Sequence, residues 1–366
     1  MAFGFFKKKK KESTTDSRFQ NFTIREVVNI AEEAVNLVFE KPEGDFSYKP
    51  GQFLTLIKEV EGKKVRRAYS LCTTPFIDEY PAVTVKRVPG GIMSNYLNDH
   101  AKAGDVIEIM EPMGMFTTDY DASASRHVVF LGGGSGITPL YSILRSVLLK
   151  EPNSKVSLVY GNRSKDYIVF REVLEQLKSE HGDRFQLVHI LEENDGYAAH
   201  SGRPTAETMK SIIDGLSVDS STEFFICGPE PMMNIASEGL GLLGIAADKI
   251  RMESFDSGKT SPSVVVEEKS SNSDFDKSQV TIIMDGEEHV VQVSKDATIL
   301  DAGLDQDIDM PYSCQSGLCT ACRAKCLEGE VDQEDAHGVS KSEQEEGYVL
   351  LCVGKPLSDK IKVEVG

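Results

Sequence analysis

The chain has 366 residues, 58 acidic against 40 basic, for a net charge of −18, with 40% hydrophobic and 27% charged residues. At roughly 150 residues per domain this length predicts two or three domains, each able to bury its own core. The negative balance argues against nucleic acid as a partner, since phosphate would be repelled. No apolar run approaches the ~18 residues that span a bilayer, which argues against integral membrane association.

The opening stretch MAFGFFKKKKKEST places its apolar residues ahead of its charges and has no cleavage-type site after a long apolar run, so it does not read as a secretory signal. The five lysines at 7–11, with Phe3, Phe5 and Phe6, have the chemistry to touch an anionic membrane surface, but a solubilising tail is the plainer reading. The expectation is a cytoplasmic protein.

Residues 18–121 contain short β-type runs, FTIREVV, AVNLVFE, QFLTLIKE, RAYSL, AVTVKRV and DVIEIMEP, parted by turns such as KPEGD and KPG. That spacing predicts an antiparallel barrel or sandwich. Over 125–256 the rhythm changes: HVVFLGGG, KVSLVYGN, QLVHIL and EFFICG alternate with helical patterns such as PLYSILRSVLLK. This alternation predicts a parallel sheet with helices on both faces. In LGGGSGITPLYSILR, a glycine-rich strand end opens a helix with Pro139 near its first turn, where proline is favoured and where phosphate binds. A GGG run alone is as often only a tight turn.

The strand KVSLVYGNRSKDY ends on Arg163 and Lys165. An acidic residue there suits the ribose hydroxyls of NAD, and a basic one suits the extra phosphate of NADP; basic residues after a strand are also common as mere surface. Residues 257–278, rich in Ser, Lys and acids, read as a linker. From 279 to 366 there are 18 acidic and 7 basic residues, so −11 of the charge lies on a quarter of the chain.

That last segment holds Cys314, Cys319 and Cys322 as C-x4-C-x2-C, with Cys352 after 29 further residues, the spacing of a plant-type [2Fe-2S] site. The rival frame, Cys319, Cys322 and Cys326, lacks the first step and the following proline of a [4Fe-4S] run. A zinc site would pair two short knuckles, and the second is missing. Cys326 is the spare, expected as a small buried hydrophobe. Ser, Gly, Thr and Ala dominate the loop and let backbone N–H groups approach the sulfurs.

PYSCQSGLCTAC, EGEVDQ and EEGYVLLCVGKPLSDKIKVEV together resemble a plant-type ferredoxin, which implies a β-grasp fold. Upstream, RAYSL, GGIMSNYL, LGGGSGITPLYSILR, ICGPEPMM and MESF stand in the order of the ferredoxin-NADP reductase superfamily, which residues 18–256 resemble. The resemblance implies a multidomain chain: an antiparallel β-barrel flavin domain, an α/β parallel-sheet nicotinamide domain and an α+β ferredoxin domain.

The resemblance also implies roles. Arg67 would hold a flavin phosphate, Tyr69 would pack on the ring and Ser70 would hydrogen-bond near N5, as suits a guanidinium fork, an aromatic face and a hydroxyl. Lys86, Gly91, Met93 and Ser94 would meet the pyrophosphate of FAD rather than FMN. Gly134, Gly136, Thr138 and Pro139 would receive the coenzyme pyrophosphate, and with Arg163 and Lys165 at the strand end the expected coenzyme is NADPH, with NADH possible. Cys227 and Gly228 would lie beside the nicotinamide, with Cys227 a lining residue and not a nucleophile, and Glu253 and Phe255 would border the flavin. Ser70, Cys227 and Glu253 are the expected catalytic set.

The order of reductase, linker and ferredoxin resembles the reductase components of multicomponent oxygenases, most of all the phenylacetyl-CoA epoxidase branch, serving phenylacetate catabolism. Related reductases serve desaturases, ketosteroid hydroxylases and aromatic-ring oxygenases. The resemblance implies an oxygenase partner that takes electrons at the acidic ferredoxin domain. A redox-sensing binding module is the competing reading, and the lack of a basic DNA-binding segment counts against it.

Overall fold

The computed structural model describes residues 19–42, 46–255, 276–284, 286–315, 317, 319–334, 336 and 338–365. The lysine tail at 7–11 and most of the segment read as a linker lie outside the described residues.

All six β-type runs before residue 121 form strands: β1 (Phe19–Ala31), β2 (Ala34–Phe39), β3 (Phe53–Val60), β4 (Lys63–Ser70), β5 (Ala82–Lys86) and β6 (Val106–Met113). They make one antiparallel sheet in the order β4-β3-β6-β1-β2-β5. The sheet curls until its ends meet, where Leu71 bridges Val83. Phe22, Leu37, Leu54, Leu56, Val85 and Ile109 fill the interior, and helix α1 (Ile92–His100) buries Met93 and Leu97 against it. Strand β3 is buried on both faces: Leu54 and Leu56 point inward, and Phe53, Thr55 and Ile57 point outward beneath another part of the chain.

The second unit has β7 (His127–Gly133), β8 (Lys155–Asn162), β9 (Phe185–Leu191), β10 (His200–Ser201), β11 (Glu223–Gly228) and β12 (Ile250–Ser254). The order is β10-β9-β8-β7-β11-β12 and every pairing is parallel. Helices α2 (Ile137–Lys150) and α3 (Arg171–His181) contribute to one apolar cluster, α4 (Ala206–Asp214) and α5 (Glu230–Leu242) to another. The sheet is thus covered on both faces, as a parallel sheet requires.

The third unit runs β13 (Lys277–Met284), β14 (Glu287–Ser294), α6 (Ile299–Leu304), β15 (Arg323–Glu328), β16 (Val331–Asp332), α7 (Lys341–Glu345), β17 (Tyr348–Leu350), β18 (Lys355–Pro356) and β19 (Lys360–Val365). Its mixed sheet, β14-β13-β19-β15-β17, has β13 and β19 parallel and α6 packed over it, the expected β-grasp pattern. Strand β13 opens at Lys277, two residues before the 279 boundary. Thr298 accepts from Asp301 N to cap α6, and Ser340 with Glu343 forms a capping box on α7. Among the described residues no helix is long and apolar enough to cross a membrane.

Candidate redox site

Three of the expected cluster ligands lie in the loop between α6 and β15, and Cys352 follows β17. Leu351 N donates to Cys322 O at 3.2 Å and ties the two segments together. Gln315 and Gly317 take left-handed backbone angles, φ 54° and 70°, which curl the loop. The Cys319 thiol hydrogen-bonds Cys314, and Cys352 hydrogen-bonds both Cys314 and Cys322. These mutual bonds, with burial, push the Cys319 and Cys352 thiols well above the ordinary range.

Cys319, Cys322 and Cys352 are buried. Among the described residues no three His, Cys, Asp or Glu side chains gather as a single ion requires. The match is therefore one of donor chemistry and spacing, and four convergent thiols fit a [2Fe-2S] cluster. Cys326 sits apart on β15, its half-buried thiol facing the carbonyls of Glu328 and Gly329 at 3.5 Å.

Cys314 also lines a pocket between the barrel and the end of β12, together with Arg67, Ser70, Glu253, Phe255 and Ser313. Tyr69 packs instead against the barrel core, where burial raises its hydroxyl pKa. Glu253 is buried and its Oε2 has no hydrogen-bond partner. Burial, then the nearby Cys314, push its carboxyl up to about 8. An orphaned buried oxygen beside an aromatic and a guanidinium fits a polar, planar group such as a flavin ring. Cys227 pairs with Glu253 across β11 and β12, and burial, then Glu253, hold its thiol well above the usual value. That disfavours the thiolate a nucleophile needs.

A cleft of about 340 Å³ runs across the C-terminal ends of the parallel strands. Lys86, Gly133, Gly134, Asn162, Arg163, Glu192, Arg203 and Met232 are among its lining residues. Gly134 is left-handed (φ 52°), and a Cβ there would stand 3.5 Å from Lys86 Nζ, so the barrel reaches over the glycine turn. Lys86 thus lines this cleft and not the pocket beside Cys314. Gly136 does not line the cleft: a Cβ on it would lie 2.0 Å from Cys227 O, so glycine lets α2 seat on β11. Thr138, Pro139 and Gly228 also stand behind the lining, and the Thr138 hydroxyl donates to Ser135 O at 3.0 Å. Gly91 N-caps α1, Met93 is buried, and Ser94 Oγ accepts from Val88 N at 3.2 Å, bracing that turn.

Of the two basic residues expected at the coenzyme end, only Arg163 lines the cleft. Lys165 lies in a tight turn after β8 that carries its Nζ over the Tyr197 ring, 5.0 Å from the centroid. Arg203 and Glu192, which the sequence reading missed, line the cleft and pair at 2.9 Å, and Arg163 pairs with Glu193 at 3.2 Å. The available signal was the acidic end of the neighbouring strand, β9.

The ferredoxin unit covers the outer barrel face. Phe53, Ile57 and Met110 pack on Cys319 and Ala321, and the hydroxyls of Thr55 and Ser313 hydrogen-bond. The acidic run beyond the cluster loop divides: β15 carries Glu328 away from Cys322, whereas Asp332 pairs with Lys355 near Cys352.

Three family models match: an oxidoreductase FAD-binding domain over residues 21–118, an oxidoreductase NAD-binding domain over 130–238 and a 2Fe-2S iron-sulfur cluster binding domain over 282–357. Curated relatives include the ferredoxin reductase component of 3-ketosteroid-9-alpha-monooxygenase from Rhodococcus rhodochrous, 36% identical over 95% of this chain and 97% of that one. One subunit of 1,2-phenylacetyl-CoA epoxidase from Escherichia coli K12 is 34% identical over 94% of this chain and 97% of that one. The solved structure of phthalate dioxygenase reductase superposes with a TM-score of 0.59 at 21% identity, over 95% of this chain and 98% of that one, a likeness of fold.

Proposed function

The chain belongs to the family of oxidoreductases that join FAD-binding, NAD-binding and 2Fe-2S domains as reductase components of oxygenases, and from that membership we propose that it carries electrons from NADPH to an oxygenase of the phenylacetyl-CoA epoxidase type. The observation that carries this reading is the shared wall. Cys314, one of the four convergent thiols, and Ser70 and Glu253, at the expected flavin edge, line a single pocket.

When bound, FAD takes up the electron pair of a hydride and gives it out singly, which suits a [2Fe-2S] acceptor. The residues do the positioning. Arg67 offers a guanidinium fork to a flavin phosphate, and the Ser70 hydroxyl can donate or accept at the ring edge. Glu253, with its pKa near 8, holds a proton on its carboxyl at neutral pH and can donate from it. The negative charge of a bound cluster at Cys314 acts in the same direction. Gly133 and Gly134 let the coenzyme pyrophosphate approach backbone N–H groups, with Lys86 above them as counter-charge. Arg163 and Arg203 at the far end supply two cations for a 2'-phosphate, which supports NADPH. Glu192 beside them is the group that would serve the ribose hydroxyls of NADH.

The domain limits we assign are 18–121, 125–256 and 277–366, with a linker at 257–276, in a cytoplasmic protein. The oxygenase docks on the acidic ferredoxin domain, where opposite charge speeds encounter. Neutralising Glu328, Glu330 and Asp332 together then weakens the salt dependence of delivery without changing flavin reduction.

Steady-state turnover tests the reading. Purified protein should reduce cytochrome c with NADPH, and protein stripped of flavin should not. A bound coenzyme with no turnover would point instead to a redox-sensing module.

A further inference from the structure

Arg66 is a buried charge to which the electron route assigns no task. Its side chain is 5% exposed, and the alternation of β4 sets it on the outer barrel face with Ala68 and Ser70. Nη1 donates to Met310 O at 2.7 Å and Nη2 to Asp309 Oδ1 at 2.9 Å. Lys64 Nζ reaches Asp309 Oδ2 at 3.2 Å, and the guanidinium lies 5.5 Å from the Tyr312 ring centroid. On the ferredoxin side, these partners and those of the apolar contact, Cys319 and Ala321, fall between residues 309 and 321, which include Cys314. The grip on the domain is a grip on the loop that carries three of the four cluster ligands.

A desolvated guanidinium is costly unless paired, and an interface within one chain ordinarily permits relative motion of its domains. We propose that Arg66 is a positioning residue: by holding Asp309 and the Met310 carbonyl it keeps the cluster loop against the flavin pocket and so sets the rate of electron passage from flavin to cluster. This rests on the electron route given above. The rate of such passage falls steeply with distance, so a loosened dock is felt there first. Each step takes one electron from the reduced flavin and gives it to an oxidised cluster, with no bond formed between them, and the oxygenase takes the first electron from the cluster before the second step. After the second step, the hydrogen received as hydride has left as a proton. Arginine is suited to the task because its planar fork meets two acceptors at once, which a lysine ammonium in the same place does not.

The test uses FAD- and cluster-loaded protein and the variants Arg66→Gln, Arg66→Lys and Asp309→Asn. Asp309 is 61% exposed, so its variant keeps the fold even where Arg66→Gln fails to express. Rapid mixing with NADPH should show unchanged flavin reduction in all three. Cluster reduction should slow about tenfold or more in Arg66→Gln, the scale expected when a buried, charge-assisted contact across an interface is removed. It should slow less in Asp309→Asn, and Arg66→Lys should not restore it. Small-angle scattering gives a readout independent of turnover: Arg66→Gln and Asp309→Asn should have a larger radius of gyration than wild type at the same salt. Wild-type cluster reduction and wild-type scattering in both Arg66→Gln and Asp309→Asn would overturn the proposal. If wild type itself reduces flavin but never cluster, the electron route fails, and scattering alone then decides the docking role: expansion supports it and an unchanged radius refutes it.

Discussion

Gly136→Ala should damage coenzyme binding through a residue that does not line the coenzyme cleft. The added Cβ would lie 2.0 Å from Cys227 O, 2.3 Å from Cys227 C and 2.6 Å from Gly228 N. These are backbone atoms of β11 and its exit, held in register with β7 and β12, so no flexible side chain can yield. Normal van der Waals contact requires roughly 1 Å of separation between α2 and the strand, an overpacking strain of about 1–3 kcal/mol. At ~2–4 °C per kcal/mol the melting temperature falls by about 2–12 °C. Because the same shift moves the glycine turn against the cleft, kcat/KM for NADPH with ferricyanide as acceptor should fall about 10- to 100-fold, and the visible iron-sulfur spectrum should be unchanged. Gly134→Ala is the contrast: its φ of 52° costs about 1 kcal/mol, and the added methyl meets only the Lys86 tip. A Gly136→Ala protein that melts and turns over like wild type would refute the close-packing account of this turn.

Cys352→Ser should lose the [2Fe-2S] absorption and keep its flavin, whereas Cys326→Ala should keep both; loss of the cluster from the Cys326 variant alone would move the ligand frame. Neutralising Arg163 and Arg203 together should raise KM for NADPH at least tenfold more than for NADH, and neutralising Lys165 should not discriminate; equal effects on both coenzymes would remove the 2'-phosphate role. Glu253 titrates near 8 when folded and near 4.5 when unfolded. The folded state therefore binds the extra proton, and stability falls as pH rises between those values and levels above the folded one. Thermal melts from pH 5 to 9 should show that decline in wild type and a flatter profile in Glu253→Gln, and identical slopes would show that the carboxyl ionises freely.

The parts of the fold legible in the sequence are those set by local chemistry. The ligand set Cys314, Cys319, Cys322 and Cys352 follows from spacing, and β7, β8, β9 and β11 are short apolar runs between turn signals. Strand β12 was legible only as the motif MESF, since IRMES has neither alternation nor a continuous apolar run and is held by pairing with β11. Arg66 and Arg67 are indistinguishable in sequence; one is buried only because another domain sits on it. Arg203 and Glu192 meet Arg163 through adjacent strand ends, a relation that exists only once the sheet is ordered. Lys165 lies off the cleft lining because a one-turn helix redirects a side chain that sequence order puts beside Arg163.

The central claim is that electrons reach the cluster through the flavin. Anaerobic rapid mixing of the loaded protein with NADPH, followed by freeze-quench electron paramagnetic resonance, tests it directly. The account predicts that flavin absorbance bleaches first, that the reduced-cluster signal grows afterwards, and that flavin-free protein with an intact cluster gives no such signal. Cluster reduction at an undiminished rate in the flavin-free protein would contradict it.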